Sequence, residues 1–307
     1  MTDPTPSGVS ERIRLRTADL SPSERRVARA LLAGPPTIGL ESAARLAEHA
    51  GVSGPTVSRF VQRLGFDSYG AFQRALHDDI AARVASPVEV YRAHRAGRSG
   101  NGAADLLAER GRALGDAVAG SVQALDPGDV ARATGLLADP RRAVVTTGGW
   151  FSQVLAGYVA AILREVRPRV RAIPPVASER AAAIADAGKK DVAVIFDFRR
   201  YERDTFDFAA GMRAAGARIL LFTDPWLSPI AELADAVLPA RVIGPSPFES
   251  LTPTLAVLEV LVTTVADALG EAGHARFERF GGIADRWVRP WPAAGADGGR
   301  ARLDRRG

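Results

Sequence analysis

Cysteine is absent from the 307 residues, which excludes a disulfide scaffold, a thiolate zinc site, an iron–sulfur cluster and a thiol nucleophile. Histidine is scarce. His49, His77, His94 and His274 stand far apart with no ligand spacing such as H-x-x-x-H, so no metal centre and no cofactor is expected. No run approaches the ~20 consecutive apolar residues that span a bilayer. The first ten residues are polar and proline-containing, without the apolar centre of a signal peptide, and the expectation is a cytoplasmic protein without membrane contact. Lysine is nearly missing too. Of the 40 basic residues only Lys189 and Lys190 are lysines, a bias that fits a GC-rich genome better than a need for guanidinium chemistry. The net charge of +5 rests largely on residues 286–307, which hold six arginines against two aspartates. Basicity by itself therefore says little about nucleic acid.

What is present reads as a folded chain: 47% of residues are hydrophobic and 24% charged. At roughly 150 residues per domain the length suggests two domains. The first ~80 residues read as short helices. Ser21-Pro22-Ser23-Glu24 is a capping box with proline at the first helical position, in which Ser21 and Glu24 satisfy each other's amides. Its helix turns Val27, Ala30 and Leu31 inward and stops at Gly34-Pro35-Pro36. Ser42 caps a second helix with Leu46, Ala47 and Ala50 on its apolar side. After Gly51-Val52-Ser53 a third helix buries Val57, Phe60, Val61 and Leu64, leaving Thr56, Ser58, Arg59, Gln62 and Arg63 on the other face.

Helix, glycine turn and helix over 42–64 form a helix-turn-helix pattern. Such a second helix is held to its domain by one face and presents the other to the major groove. The expected DNA-binding set is Ser53, Pro55, Thr56, Ser58, Arg59, Gln62 and Arg63. Ser53 would cap the helix and offer amides to a phosphate, Arg59 would read guanine, and Gln62 and Arg63 would contact edges or phosphates. The alternative is an ordinary amphipathic bundle with solvated arginines. Leu20-Ser21-Pro22-Ser23-Glu24-Arg25-Arg26-Val27-Ala28, Ser42 to Ala47, Gly51-Val52-Ser53, Thr56 to Phe60 and Leu64-Gly65-Phe66 together resemble the N-terminal domain of RpiR-type transcriptional regulators. The resemblance implies a DNA-binding regulator.

Residues 84–104, with Pro87, Gly97, Gly100 and Gly102, read as a linker, and two helices follow at about 105–124 and 127–138. Then the period changes. Short β-rich runs at 143–147, 170–173, 191–198, 218–223 and 236–238 alternate with helical stretches, the pattern of a parallel sheet covered on both faces. A long apolar helix at about 250–270 closes it. The fold class expected is thus two domains, an all-α helix-turn-helix bundle and an α/β/α sandwich with a five-stranded parallel sheet. The boundaries expected are 10–83, a linker at 84–104, an effector-binding and dimerisation domain at 105–285 and a disordered basic tail at 286–307.

The first strand runs into Thr146-Thr147-Gly148-Gly149-Trp150-Phe151-Ser152, a glycine and hydroxyl loop before a helix, whose amides can face an anion. The third ends in Phe196-Asp197-Phe198-Arg199-Arg200-Tyr201-Glu202-Arg203-Asp204-Thr205. Asp197, if buried, needs a partner, which Arg199 or Arg200 would supply; the same arginines would clamp a phosphate or carboxylate. A self-satisfied ion-pair cluster is the plainer alternative. These segments, with Gly216-Ala217-Arg218, Thr223-Asp224 and Ser228-Pro229-Ile230, resemble the SIS (sugar isomerase) domain, the usual effector module of RpiR-type regulators. In that family hydroxyl residues in these two loops bind sugar phosphate. Ser152 matches; the second loop does not, since the S-x-S-G-x-T pattern is replaced by Asp197 to Glu202. The expected effector site is Gly148, Gly149, Ser152, Arg199, Arg200, Thr205 and Ser250, with a small anionic metabolite as ligand. The resemblance implies a homo-oligomer, dimer or tetramer, on a palindromic operator. Two other readings remain open: a sugar-phosphate isomerase or lyase with an accessory N-terminal domain, for which Glu202, Glu249 and the more distant His274 are the candidate bases, and a partner-binding SIS module without DNA contact.

Overall fold

The computed structural model describes residues 8–16, 19–33, 38–84, 88–89, 91–92, 103–242 and 248–287. Most of the expected linker, and all but two residues of the expected tail, lie outside them.

The N-terminal helices are α1 (Val9–Leu15), α2 (Pro22–Ala33), α3 (Ala43–Ala50), α4 (Gly54–Arg63) and α5 (Tyr69–Val84). The capping box at the head of α2 forms in both directions: the Ser21 amide donates to Glu24 Oε2 at 2.8 Å and the Glu24 amide to Ser21 Oγ at 3.3 Å. Ser42 Oγ likewise accepts the Arg45 amide at 3.3 Å and starts α3. At its end Gly51 has φ 63°, where a side chain is strained. The Val52 amide reaches back to the Ala47 carbonyl at 2.9 Å, the closure of a Schellman turn. The chain thereby turns from α3 into α4 within three residues. Val57, Phe60, Val61 and Leu64 then pack against Val27, Leu46, Ala47 and Phe72 in one core. Each such side chain contributes about 1.5–3 kcal/mol by leaving water. The sequence pattern does not mark α1, and its start explains why. Asp79 of α5 accepts the Val9 amide at 2.7 Å, so the cap comes from seventy residues away.

The remaining helices are α6 (Ala103–Gln123), α7 (Pro127–Ala138), α8 (Gln153–Val166), α9 (Ala177–Ala185), α10 (Arg203–Ala214) and α11 (Thr252–Ala284). They surround five strands, β1 (Ala143–Gly148), β2 (Val170–Ala172), β3 (Asp191–Phe196), β4 (Arg218–Thr223) and β5 (Ala236–Pro239). All pair in parallel, in the order β2-β1-β3-β4-β5. Alternation along β3 divides the core. Val192, Val194 and Phe196 face the layer containing α8 and α11, while Ala193 and Ile195 face α9 and α10. The chain leaves β1 for one neighbour, β2, and returns to the other, β3, so the strand order reverses between β1 and β3. At such a switch point the loops after the two strands diverge and leave a crevice at the carboxyl edge of the sheet.

Of the expected bounds that shift, two change the reading. The third strand ends at Phe196, which leaves Asp197 and Phe198 in the loop beyond it. The closing helix runs on past 270 to Ala284, through a break at Gly270 with φ 53° and ψ −137°. No described helix is long and apolar enough to cross a membrane.

Candidate functional site

On α4, Pro55, Ser58, Arg59 and Gln62 are exposed, and the helix carries no acid. Thr56 departs from the expectation: it is buried, because its position falls on the stripe that meets the core. Its hydroxyl is a hub, 2.9 Å from Ser53 Oγ and accepting Arg59 Nη2 at 3.2 Å. Ser53 therefore does not cap the helix with its side chain; only its carbonyl serves the first turn. Arg63 is exposed as well, but it is also ion-paired. Its Nε lies 3.1 Å from Glu24 Oε1, and Nη1 donates to the Asp19 carbonyl at 3.2 Å. Burial pushes the Glu24 carboxyl up in pKa, but the Ser21 amide and hydroxyl and Arg63 outweigh it and hold it below its usual range. Arg63 thus ties the end of α4 to the start of α2 while its side chain stays 47% exposed, and Arg59 faces outward without an acidic partner on its own helix.

A cavity of about 430 Å³ opens at the switch point between β1 and β3. One wall is the β1–α8 loop, Gly149 to Ser152; another is the β3–α10 loop, with Asp197, Phe198, Arg199, Arg200 and Glu202; Phe248, Glu249 and Leu251 complete it. The rim is aromatic, with Trp150, Phe151 and Phe248 largely exposed. Four of the expected residues line it: Gly149, Ser152, Arg199 and Arg200. Arg200 sits at φ 75°, a left-handed conformation that suits glycine better than arginine. The Ser152 hydroxyl is engaged, donating to the Phe196 carbonyl at 2.8 Å and accepting the Gly149 amide at 2.9 Å. Gly148, Thr205 and Ser250 are not among the cavity's lining. The Gly148 amide is bound by Gln153 Oε1 at 2.9 Å, Thr205 is fully buried, and Ser250 Oγ accepts the Thr252 amide at 3.4 Å.

The expectation that Arg199 or Arg200 neutralises Asp197 is also corrected. Asp197 is buried, and its oxygens are held by the Ser228 hydroxyl and, at 3.3 Å, by the Glu202 amide. Arg199 turns instead to Glu249, Nε to Oε1 at 2.9 Å. Burial pushes the Asp197 carboxyl up to about 6, against the pull of Ser228 and the Glu202 amide. Tyr201 closes the same loop by donating to Asp224 Oδ1 at 2.9 Å. As for the candidate bases, Glu249 is engaged by Arg199, Glu202 accepts the Trp150 amide at 2.8 Å, and His274 pairs with Glu278 one turn on along α11 at 3.3 Å.

One residue of this region escapes sequence reasoning. Arg180 of α9 is 7% exposed, and its Nη2 donates to the Gly148 carbonyl at 2.9 Å and to Thr205 Oγ1 at 3.3 Å. It joins the undersides of both loops. The available signal was its place three residues before buried Ala183 on one helical stripe.

Comparison with known proteins matches two stretches of the chain. Residues 7–83 match the helix-turn-helix domain of the rpiR family, and residues 136–264 match the SIS domain. An HTH-type transcriptional regulator of Escherichia coli (strain K12), YfhH, is 38% identical over 76 residues, 25% of this chain. The match spans only 27% of that regulator. Among solved structures, the sugar isomerase domain of an RpiR transcription factor from Sphaerobacter thermophilus covers 58% of this chain and 98% of its own, with a TM-score of 0.54 and 22% identity. The Vibrio vulnificus NanR protein, in its complex with ManNAc-6P, covers 91% of this chain and 100% of its own, with a TM-score of 0.53 and 16% identity. At these identities the structures speak for the fold alone. The chain thus carries a helix-turn-helix domain of the rpiR family followed by a SIS domain on a five-stranded parallel sheet.

Proposed function

We propose that this protein is a DNA-binding transcriptional regulator whose SIS domain senses a small anionic metabolite, a sugar phosphate or a carboxylate, and thereby alters operator binding. The observation that carries the reading is the outward face of α4. It is polar and free of acids, and Arg59 is steadied on it by a buried hydroxyl. A guanidinium so held loses less side-chain freedom on meeting a guanine edge. In this reading Arg59 specifies bases, Ser58 and Gln62 flank it, Ser53 and Thr56 position it, Pro55 starts the helix, and Arg63 keeps the helix in place.

The cavity at the switch point supports the effector half. It is a concave site with aromatic side chains at its rim and charged groups inside, the kind of mixed lining that orients a small ligand. A ligand that binds the DNA-competent and DNA-incompetent states unequally shifts their populations. A homodimer in the cytoplasm would set two α4 helices on a palindromic operator. The exposed apolar side chains Phe151, Val154 and Tyr158 on and before α8 are the kind of patch that such pairing covers. The test is titration of purified protein on its own upstream DNA, followed by metabolite screening for release. Arg199→Ala and Arg200→Ala are expected to lose the effector response and keep DNA binding. Loss of folding in both would make the pair structural.

A further inference from the structure

The loop after β1 resembles an anion seat, yet its anion is supplied by the chain itself. Glu202 Oε1 accepts the Trp150 amide at 2.8 Å. The carboxylate lies so close over Gly149 that a Cβ there would stand 2.5 Å from Oε1 and 2.7 Å from Cδ. Glycine at 149 is therefore what admits this carboxylate. Beneath both loops lies the Arg180 guanidinium, nine-tenths buried, and its Nε has no hydrogen-bond partner among the described residues. Burial weighs against that charge, and Glu202, ahead of Asp204 and Asp197, favours it. The carboxylate, itself on an exposed residue, thus takes an amide of the glycine loop, with a buried cation on the loop's underside.

We propose that Glu202 is a tethered competitor and a specificity determinant of the effector cavity: it holds the anion seat, and a ligand's anionic group enters by displacing it. The inference rests on reading this cavity as the effector site. A carboxylate tethered by one side chain acts at an effective concentration of roughly millimolar or above. A free inorganic anion offers only its charge and its acceptors and loses that competition. A metabolite wins when the rest of it gains contacts along the aromatic rim, Trp150, Phe151 and Phe248, or from Arg200. The seat thus rejects common small anions without being a poor anion site.

Calorimetric titration of the full-length protein with inorganic phosphate tests this. Glu202→Ala is expected to bind phosphate at least roughly tenfold more tightly than the wild type, since the competing carboxylate is gone. Glu202→Gln is expected to fall between them, because its amide oxygen still accepts from Trp150 without the charge. Asp207→Asn makes the same change in net charge on the exposed face of α10, at a residue ion-paired to Arg203, and is expected to titrate like the wild type. Indistinguishable isotherms for wild type and Glu202→Ala, whether both bind or neither does, would overturn the proposal. So would an equal gain in Asp207→Asn, which would reduce the effect to net charge. If Glu202→Ala does not fold, the wild-type and Gln titrations decide. DNA binding is measured separately on the same preparations, so loss of the regulator reading and loss of this one give different results.

Discussion

Arg59 and Arg63 lie four residues apart on α4, and their surroundings separate them. Arg59 rests on the Thr56 hydroxyl and faces solvent, whereas Arg63 is drawn to the buried Glu24. Arg59→Ala is expected to cost about 1–3 kcal/mol of operator binding, to relax specificity at one base pair and to leave the thermal midpoint unchanged. Arg63→Ala is expected to lower stability by about 1–2 kcal/mol, because Glu24 keeps its capping bonds but loses its cation. Anisotropy and thermal unfolding of both variants check the pair; equal loss of affinity with no loss of stability would return Arg63 to the DNA surface. Asp197 gives a pH dependence of definite sign. Its folded pKa of about 6 lies above the unfolded value near 3.9. The folded state therefore binds more protons between those values, and stability falls as pH rises through that window. Asn at 197 does not titrate and can still accept the Glu202 amide and donate to Ser228. Asp197→Asn is expected to gain stability relative to the wild type between pH 5 and 7.5, by about 1–1.5 kcal/mol, since about half of the window lies above pH 5. Denaturant titrations at both pH values check this, and a difference that does not change with pH would refute it.

The turn between α3 and α4 depends on Gly51 at φ 63°, where a Cβ would meet nothing within 4 Å. The cost of a side chain there is backbone strain alone, and Gly51→Ala is expected to destabilise the N-terminal domain by about 1–2 kcal/mol. Chemical denaturation followed in the N-terminal domain measures it. This turn, the capping box and the five strands were legible because their causes are local: a glycine, a reciprocal Ser/Glu pair, unbroken apolar runs. Where causes were distant the sequence was silent. The start of α1 is fixed by Asp79, and Arg180 belongs to loops 32 and 25 residues away. Gly270 looks like a stop, yet the chain resumes its helix beyond it. In the effector cavity the loops were legible but not their internal bonding. Asp197 chose Ser228, and Glu202 chose Trp150 across 52 residues. Charge alone does not tell which of several nearby partners an acid takes.

For the whole chain, the proposed function divides the labour between the two matched domains, one to meet DNA and one to meet a metabolite. A dimer is expected in solution, and light scattering coupled to size-exclusion chromatography checks it against the 32.5 kDa chain. Dimerisation would double the phosphate contacts and the bases read, which raises both affinity and salt sensitivity. The most direct measurement is fluorescence anisotropy of the purified protein on its own upstream DNA and on a scrambled duplex, across a salt series. Selective binding to the upstream duplex that persists at ~150 mM salt, where non-specific contacts weaken, is the predicted result. Absence of binding to either duplex at every salt concentration would contradict a regulator built on α4.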